Sequence, residues 1–364
     1  MCAQEEVFHY SDEIGPEKIL YIYDPKTKLQ GILVVDNTAR GPAIGGVRMA
    51  PDVSTEEIFR LARAMTFKNA AADIPHGGGK SGIICDPKTK NKDELMRSFA
   101  KGIEPIADYI PGPDMGIDER CMGIVHKEIG RAIGLPRELG GIPLDTMGST
   151  GYGVAISTEV ACEYVLLDLS KASVAVEGFG AVGKATVKFL REKGAKIVAV
   201  SDSKGAIYEP DGLNYEKLLE IKQTTGAVKN YKGGRVIKNE ELFELPVDIL
   251  IPGARPDVIT EENVRNIKAA LVVEAANIPA TREAEKILHD RGILVVPDFI
   301  ANAGGVITAA VEYTGGTENE VFDMIKEKTV KNTRLVLEMA TNQKVPPRVA
   351  AEKMAKERVL KAMK

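Results

Sequence analysis

The chain has 364 residues, of which 44% are hydrophobic and 27% are charged, and its formal net charge is -4 at pH 7. This length exceeds what one hydrophobic core usually holds, so we expect about two domains in an ordinary soluble globular protein. The basic residues are dispersed, which disfavours a nucleic-acid partner, and no continuous apolar stretch reaches about 18 residues, which disfavours a membrane partner. The first ten residues, MCAQEEVFHY, show no signal or transit features, so we expect a cytoplasmic location.

The spacing of cysteine and histidine gives no sign of metal or disulfide chemistry. Cys2, Cys85, Cys121 and Cys162 form no CxxC pair, and the four histidines show no ligand spacing. Metal sites and disulfide frameworks usually place such residues at short, regular intervals. We therefore expect neither a metal ion nor a structural disulfide.

The N-terminal part of the chain begins with a predicted β-hairpin. The segments ILYIYD and GILVVD are rich in β-branched and aromatic residues and flank the turn-rich PKTKLQ. A further short strand, SGIICD, is predicted from Ser81 onward. The segment YIPGPDMG, from Tyr109 to Gly116, contains so much proline and glycine that it predicts a rigid loop, which carries Asp114.

A helix with one unusual cation is predicted between these segments. Residues 54–57, STEE, match a capping box, and apolar residues follow at helical spacing, namely Ile58, Leu61, Met65 and Ala72. Lys68 lies on the same stripe. A buried ammonium is costly unless it meets an anion or loses its proton. Lys68 therefore either serves a site or extends to the edge of the helix and pairs with a neighbour.

A second cation follows a run of three glycines. Lys80 ends the run PHGGGK, where the missing side chains let a ligand approach the backbone closely. Two lysines brought together favour a pocket that binds a small anion and lowers the pKa of one lysine. The sequence therefore predicts an enzyme site around Lys80.

A glycine-rich stretch from Gly140 to Gly153 is predicted to be the hinge between the domains. Beyond it, helical segments separate five strands, SVAVEG, KIVAVSD, VDILIPGA, LVVEAAN and ILVVPD. Short β-branched runs of this kind indicate a parallel sheet covered on both faces. From about Val321 the pattern is helical to the end, and we expect residues 326–364 to pack back on the first domain.

The strongest motif is a GxGxxG placed between a strand and a helix. Gly178, Gly180 and Gly183 follow the strand SVAVE, and Ala181 and Val182 open the helix. In such a site the first glycine permits the turn, the second admits the pyrophosphate, and the third packs helix on strand. This placement predicts a nicotinamide dinucleotide site.

The ends of the following strands predict the rest of the coenzyme site. Asp202 suits the ribose hydroxyls of NAD, whereas Ser203 and Lys204 suit the 2′-phosphate of NADP, so both coenzymes stay open. Asn277 and Asn302 follow later strands at the carboxyl edge of the sheet, where ligands of parallel sheets bind. We expect these asparagines to hold the carboxamide and neighbouring groups.

These blocks together resemble the glutamate, leucine, phenylalanine and valine dehydrogenase family. The matching segments span nearly the whole chain and are GPAIGGVRM, MTFKNAAADIPHGGGKSG, GPDMG, STGYGV, VEGFGAVG, VSDSKGAIYEPDGL and PDFIANAGGV. The resemblance implies an α/β fold of two domains separated by a cleft. Residues 1–140 would form the substrate-binding and oligomerisation domain, and residues 141–325 a doubly wound Rossmann domain.

The resemblance also implies roles for individual residues. Lys80 becomes the catalytic lysine and Asp114 the general acid/base. Lys68 binds the substrate α-carboxylate in a pocket that includes Gly46 and Met65, and Thr150 and Asn302 contact the nicotinamide end of the coenzyme.

In the implied reaction an L-amino acid transfers hydride to NAD(P)+ and becomes an iminium ion. Water attacks this iminium, and release of ammonia then gives a 2-oxo acid. We expect burial and a neighbouring cation to lower the pKa of Lys80 so that it activates this water.

The side-chain pocket predicts which amino acid is used. Glutamate-specific members of the family carry a lysine and a serine where this chain has Ile44 and Ala309, and neither of these side chains can bind a γ-carboxylate. Burying that charge in an apolar pocket is costly. The sequence therefore predicts a dehydrogenase of aliphatic, branched L-amino acids with a pocket similar to that of leucine dehydrogenase. In the coenzyme-binding half, by contrast, the VSDSKGAIYEPDGL block resembles thermophilic glutamate dehydrogenases.

Three alternatives stay open: glutamate dehydrogenase with a cation that the sequence does not place, a catalytically quiet nucleotide-binding paralogue, and a Rossmann oxidoreductase of hydroxy acids. The joint presence of Lys68, Lys80 and Asp114 disfavours the second, and the lack of a histidine in a site block disfavours the third. The resemblance further implies a homo-oligomer, a hexamer or octamer, whose other partners are the amino acid, the 2-oxo acid and ammonia.

Overall fold

The computed structural model describes residues 8–364, apart from the side chain of Asp145, and these residues form two compact units. Residues 1–7, which include Cys2 and most of the N-terminal segment considered above, lie outside the described part. The first unit contains the chain up to Pro143 together with Val306–Glu320 and Met354–Lys364. The second unit contains Leu144–Gly305 and Val321–Lys353.

The division of the chain differs from the predicted one in two places. The boundary follows Pro143, three residues later than the 140/141 division that the sequence predicts. Of the C-terminal residues 326–364, only Met354–Lys364 belongs to the first unit, and the part before it belongs to the second. The predicted return to the first domain is therefore shorter than expected, and Val306–Glu320 joins that unit as well.

The first unit is built on a five-stranded sheet. Its strands are β1 Lys18–Asp24, β2 Leu29–Asn37, β3 Ala43–Ala50, β4 Gly77–Ile84 and β5 Tyr109–Pro113, and its helices include α1 Thr55–Ala71, α2 Lys92–Ile103 and α3 Glu119–Ile129. The strand order is β1-β2-β4-β3-β5. β1 and β2 form the predicted antiparallel hairpin, while β3 runs parallel to both β4 and β5.

Two segments that were not predicted as strands are strands. Gly77–Gly79 opens β4, which lies between β2 and β3, and a Cβ at Gly78 would lie 2.0 Å from the backbone nitrogen of Thr66 on α1. Gly78 therefore leaves the space that α1 occupies. The proline-rich segment that starts at Tyr109 forms β5 at the sheet edge, where a missing N–H is tolerated.

Helix α1 begins as predicted but presents a different face to the sheet. The Ser54 hydroxyl accepts a hydrogen bond from Glu57 N at 3.2 Å, which confirms the N-cap, whereas the Glu57 carboxylate binds Arg48. Thr66 and Asn69 are buried with Ile58 and Ala62, while Leu61, Met65 and Lys68 are only half-buried. The buried face of α1 is therefore rotated away from the predicted apolar stripe, because polar side chains of the helix bond to the sheet. Asn69 Nδ2, for example, donates to Gly77 O at 2.6 Å.

The second unit is built on a seven-stranded sheet. Its strands are β6 Ser173–Glu177, β7 Lys196–Asp202, β8 Gly205–Tyr208, β9 Arg235–Ile237, β10 Ile249–Pro252, β11 Leu271–Val273 and β12 Leu294–Val296. The order is β12-β11-β10-β6-β7-β8-β9, in which the first five strands are parallel, β8 is antiparallel to β7, and β9 is antiparallel to β8. The five parallel strands confirm the predicted doubly wound α/β class, and β8 and β9 were not predicted.

The helices of the second unit and the C-terminal helices follow the expected alternation. They are α4 Leu144–Met147, α5 Ser149–Tyr164, α6 Ala181–Glu192, α7 Tyr215–Thr225, α8 Asn239–Leu242, α9 Arg282–Asp290, α10 Asp298–Ala301, α11 Gly304–Tyr313, α12 Glu318–Gln343 and α13 Pro347–Ala362. Much of the predicted hinge is helical, because α4 and α5 occupy it. Within residues 8–364, no helix combines the length and the apolar character needed to cross a membrane.

Candidate functional site

The centre of the first unit is a buried pair formed by Lys80 and Asp114. Lys80 lies on β4, and Asp114 directly follows β5; these two strands flank β3. Lys80 Nζ donates to Asp114 Oδ2, and the two side chains are 8% and 19% exposed. A Cβ at Gly46 on β3 would lie 2.8 Å from Asp114 Cβ and 3.2 Å from Lys80 Nζ. The absence of a side chain at Gly46 therefore leaves room for the pair.

Burial and charge set the protonation of this pair. Burial lowers the pKa of Lys80 below the ordinary lysine value, although the nearby charge of Asp114 opposes that shift. Burial would raise the pKa of Asp114, but the charge and hydrogen bond of Lys80 outweigh it and hold that pKa below its usual value. An amine that loses its proton more easily than free lysine, beside a carboxylate, is suited to proton transfer.

Arg48 is a third member of the site that the sequence analysis missed. Its Nη2 lies 3.5 Å from Asp114 Oδ1, and its Nη1 donates to Glu57 Oε1 at 2.5 Å. Arg48 is the neighbouring cation whose charge lowers the pKa of Lys80, a role expected of Lys68. Strand alternation offered a signal, because Arg48 stands two residues after Gly46 and so shares its face of β3.

Lys68 and Met65 lie one turn apart on the half-buried face of α1. The adjoining face of the helix packs on the glycines of β4 through Thr66. Lys68 takes part in a hydrogen-bonding or electrostatic interaction with another residue of the chain, so it is not without a partner. Binding of a substrate carboxylate by Lys68 and contact of the substrate with Met65 stay predictions.

Ile44 and Ala309, the two residues predicted to determine substrate choice, meet in one apolar cluster. Ile44 is buried with Ile110 and Ile133, and the half-buried Ala309 packs against them. Ile44 also shares its face of β3 with Gly46 and Arg48. The structure thus brings an apolar surface and the Lys80 and Asp114 pair to the same face of β3.

The glycine motif of the second unit forms the predicted turn between β6 and α6. Gly178 has φ +94°, a Cβ at Gly183 would lie 1.7 Å from Gly178 O, and a Cβ at Gly180 would meet nothing within 4 Å. The first and third glycines are therefore needed for the turn and for packing, and the second leaves open space. A cavity of about 1040 Å³ lies against the turn, and the predicted residues that line it are Gly178, Gly180, Ala181, Val182, Gly183, Asp202 and Ser203.

Asp202 is already bonded to its own chain, which the sequence did not indicate. Its Oδ2 accepts from Lys222 Nζ at 2.6 Å and from Val228 N at 2.8 Å, and its Oδ1 accepts from Lys204 N at 2.7 Å. Burial favours the neutral acid, but these three donors hold the pKa of Asp202 below its usual value. Lys222 also lines the cavity, so a cation stands beside the predicted ribose ligand.

Asn277, Asn302 and Thr150 are not among the residues that line this cavity. Asn302 Nδ2 donates to Asn277 Oδ1 at 3.0 Å and lies 3.3 Å from Ala275 O. A Cβ at Gly305 would lie 3.3 Å from Thr150 Oγ1. Asn302 Oδ1 is buried and has no hydrogen-bond partner within residues 8–364, so it is an acceptor suited to a carboxamide N–H₂.

Comparison with known proteins covers both units. Residues 140–364 match the family described as Glutamate/Leucine/Phenylalanine/Valine dehydrogenase, and residues 16–131 match the dimerisation domain of that family. The chain is 44% identical over 353 residues to a protein named glutamate dehydrogenase from Aeropyrum pernix, a match that covers 90% of this chain and 84% of the relative.

Two further relatives are named by coenzyme. One is an NADP-specific glutamate dehydrogenase from Saccharolobus shibatae, 40% identical over 84% of this chain and 74% of the relative. The other is an NAD-specific glutamate dehydrogenase from Staphylococcus aureus, 39% identical over 86% of this chain and 81% of the relative.

Solved structures share the fold over nearly the whole chain. A hetero-hexameric glutamate dehydrogenase from Thermus thermophilus, in a Leu-bound form, aligns with a TM-score of 0.82 at 30% identity and covers 95% of this chain and 89% of that one. An L-tryptophan dehydrogenase from Nostoc punctiforme aligns with a TM-score of 0.80 at 27% identity and covers 99% of this chain and 100% of that one.

Proposed function

This chain belongs to the glutamate/leucine/phenylalanine/valine dehydrogenase family, and on that premise we propose that Lys80 and Asp114 catalyse the reversible oxidative deamination of an L-amino acid. The chain is an amino acid dehydrogenase, an oxidoreductase that uses NAD or NADP. The observation that carries the assignment of residues is the buried pair of Lys80 and Asp114 beside the bare backbone of Gly46.

The roles follow from the chemistry of the two side chains. The nicotinamide coenzyme, when bound, supplies a hydride acceptor for Cα of the amino acid. Asp114 takes a proton from the substrate ammonium and returns it to the leaving ammonia, while Lys80, in its neutral form, removes a proton from the water that attacks the iminium carbon. Because burial lowers the pKa of Lys80, the neutral form is available at lower pH than in free lysine.

The residues of the second unit suit a dinucleotide. The turn from Gly178 to Gly183 presents open space at Gly180 before the N-terminus of α6, where a pyrophosphate is stabilised by backbone N–H groups. The unpartnered Asn302 Oδ1 would accept a hydrogen bond from the carboxamide of the nicotinamide. Both coenzymes are represented among the relatives, so the choice between NAD and NADP is left to assay.

L-Glutamate is the first candidate substrate. The relatives at 39–44% identity are named glutamate dehydrogenase, and they match this chain over most of its length. If glutamate is the substrate, a cation at a position other than Ile44 must bind its γ-carboxylate. Lys68, on the half-buried face of α1, is a candidate for binding either the α- or the γ-carboxylate.

An aliphatic, branched L-amino acid is the second candidate. It is supported by the apolar cluster of Ile44 and Ala309, which offers no group to bind a carboxylate. An isolated carboxylate in apolar surroundings is strongly disfavoured. A structural neighbour named L-tryptophan dehydrogenase acts on a substrate without a side-chain charge.

Initial rates of NAD(P)H formation with a panel of L-amino acids and each coenzyme test these proposals. Higher kcat/KM for glutamate than for leucine, valine or isoleucine supports the first candidate, and the reverse order supports the second. Lys80→Met, with coenzyme binding measured in parallel, should lose turnover but keep coenzyme affinity. Retained turnover in Lys80→Met, or NAD(P)H formation without ammonia release, would contradict the mechanism.

A homo-oligomer is a further part of the proposal. The match to a dimerisation domain supports it, and a structural neighbour described as hetero-hexameric supports a multimer in general. β1 is an edge strand with unpaired backbone groups, and its Tyr21 and Tyr23 are 59% and 60% exposed. Light scattering should give the mass of a multimer, and Tyr21→Lys with Tyr23→Lys should lower that mass if this edge is the interface.

A further inference from the structure

A buried cluster of three carboxyl groups around one arginine lies in the second unit, apart from the residues that line the coenzyme cavity. Arg348, in the first turn of α13, donates to Glu274 Oε2 at 2.7 Å and to Glu285 Oε1 at 2.6 Å. Its Nη2 also lies 2.9 Å from Asp298 Oδ1. The four side chains are between 0% and 10% exposed. Fully ionised, the cluster would hold excess negative charge away from water, which is costly.

One oxygen of the cluster is placed to carry a proton. Glu274 Oε2 accepts from Arg348 and from Asp298 N at 3.0 Å, whereas Glu274 Oε1 is buried and has no partner within residues 8–364. Burial raises the pKa of Glu274 well above its usual value and raises that of Glu285, although Arg348 opposes both shifts. Three carboxyl groups share one arginine here, so one proton held by the cluster lowers its buried charge, and the oxygen without a partner is the place for that proton.

The cluster is bonded to the segments that carry the predicted nicotinamide ligands. Asp298 Oδ2 accepts from Ile278 N at 2.9 Å, and Asp298 N donates to Glu274, which directly follows β11. Asn277 lies between these two anchored positions. Asn302 ends the short helix that Asp298 begins, and its N–H donates to Asp298 O at 2.7 Å. Asp298 is therefore bonded to both asparagine-bearing segments.

We propose that Arg348 and the Glu274–Glu285 pair, which shares one proton, are positioning residues for the nicotinamide end of the coenzyme and act through Asp298. This inference rests on the proposed function, because it presupposes that Asn277 and Asn302 contact the coenzyme. While the proton is held, Arg348 balances the ionised groups and keeps Asp298 in place. Loss of the proton adds a negative charge that competes with Asp298 for Arg348, and the segment 274–278 loosens.

The direction of the pH effect follows from the raised pKa values. The protonated cluster is the native form and persists below the raised pKa of the carboxyl pair. Its contribution is lost as pH rises through that pKa. The charged groups that face Glu274 are Glu285 from α9, Asp298 from α10 and Arg348 from α13.

The deciding experiment compares the whole protein with Glu274→Gln. The amide keeps an oxygen acceptor for Arg348 and is neutral like the protonated acid, but it does not titrate. Affinity for NADH and NADPH is measured by coenzyme fluorescence over the whole pH range in which the protein stays folded. We expect the wild-type affinity to fall by about tenfold as the pair loses its proton, whereas the affinity of Glu274→Gln stays within about twofold.

Arg348→Met supplies a second measurement. It removes the cation and should lower kcat/KM for the coenzyme by about 100-fold, with little change in the KM for the amino acid. Arg282→Gln is the matched control, because Arg282 forms an exposed ion pair with Glu352 between the same two helices, α9 and α13. This control should keep the wild-type affinity and pH profile.

The outcomes separate the inference from the proposed function. Identical pH profiles of coenzyme affinity in the wild type and Glu274→Gln overturn the inference, whether or not Arg348→Met folds. A wild-type protein that binds coenzyme but turns over no amino acid overturns the proposed function instead, and the affinity measurement still tests the cluster.

Discussion

Replacing Gly46 by alanine tests whether the Lys80 and Asp114 pair depends on the space beside it. The added Cβ would lie 2.8 Å from Asp114 Cβ, 2.8 Å from Pro113 O and 3.2 Å from Lys80 Nζ. Favourable contacts between such atoms begin near roughly 3.5 Å, so a neighbour must move by about 0.7 Å. The oxygen of Pro113 belongs to the backbone of β5 and cannot rotate away. The shift therefore falls on the loop that carries Asp114.

Two effects set the expected magnitude for Gly46→Ala. Forcing one methyl group into a packed interior lowers the free energy of unfolding by about 1–3 kcal/mol. Displacing one member of a proton-transfer pair by close to 1 Å lowers kcat by up to about 100-fold. Because the displaced groups are Lys80 and Asp114, kcat should change more than the KM for the coenzyme.

Urea unfolding and initial rates of NAD(P)H formation measure the two effects separately. Gly31→Ala is the matched control, because Gly31 lies on β2 of the same sheet and its added Cβ would meet its nearest atom at an ordinary 3.4 Å. The control should keep wild-type activity and change stability by less than about 0.5 kcal/mol. A folded Gly46→Ala protein with kcat/KM within about threefold of wild type would refute the reasoning.

Three further variants test other contacts of the site. Arg48→Met removes a charge that lowers the pKa of Lys80, so the rise of kcat/KM with pH should move to higher pH; an unchanged or lower inflection in the pH–rate profile contradicts this. Lys222→Gln removes the ammonium that lies 2.6 Å from Asp202, so the NADP-to-NAD ratio of kcat/KM should fall about tenfold. Lys217→Gln, on the exposed face of the same helix, is the control and should leave this ratio unchanged. Ile44→Lys combined with Ala309→Ser should raise the glutamate-to-leucine ratio of kcat/KM at least about tenfold, and an unchanged ratio would place the side-chain pocket elsewhere.

The second unit was the more predictable part of the chain, because its signals are local. The strand before Gly178 and the helix from Ala181 follow from a β-branched run, a turn that needs glycine, and an apolar periodicity within one segment. The identities of Lys80, Asp114 and Gly46 as neighbours came from resemblance, and the structure has Lys80 on β4, Gly46 on the adjacent β3, and Asp114 directly after β5.

The parts that were missed or predicted wrongly depend on contacts between distant segments. The packing of α1 on Gly78, where Thr66 lies too close for a side chain, was missed because nothing local indicates it. The strand β5 was predicted as a loop because its prolines are unfavourable in a central strand, and nothing local shows that it is an edge strand. Lys222 and Arg348 were missed because their acidic partners lie on other elements.

The way the chain returns to its first unit has a consequence for synthesis. The chain leaves that unit after Pro143, re-enters it at Val306, leaves after Glu320, and re-enters at Met354. Glu312 accepts from the backbone of Leu135 and Ile142, and Arg358 donates to the last carbonyl groups of α1. A nascent polypeptide that has emerged only to Pro143 lacks these closing segments. Its sheet therefore stays incompletely covered until the final helix is synthesised. During that interval the exposed apolar surface is a binding site for chaperones.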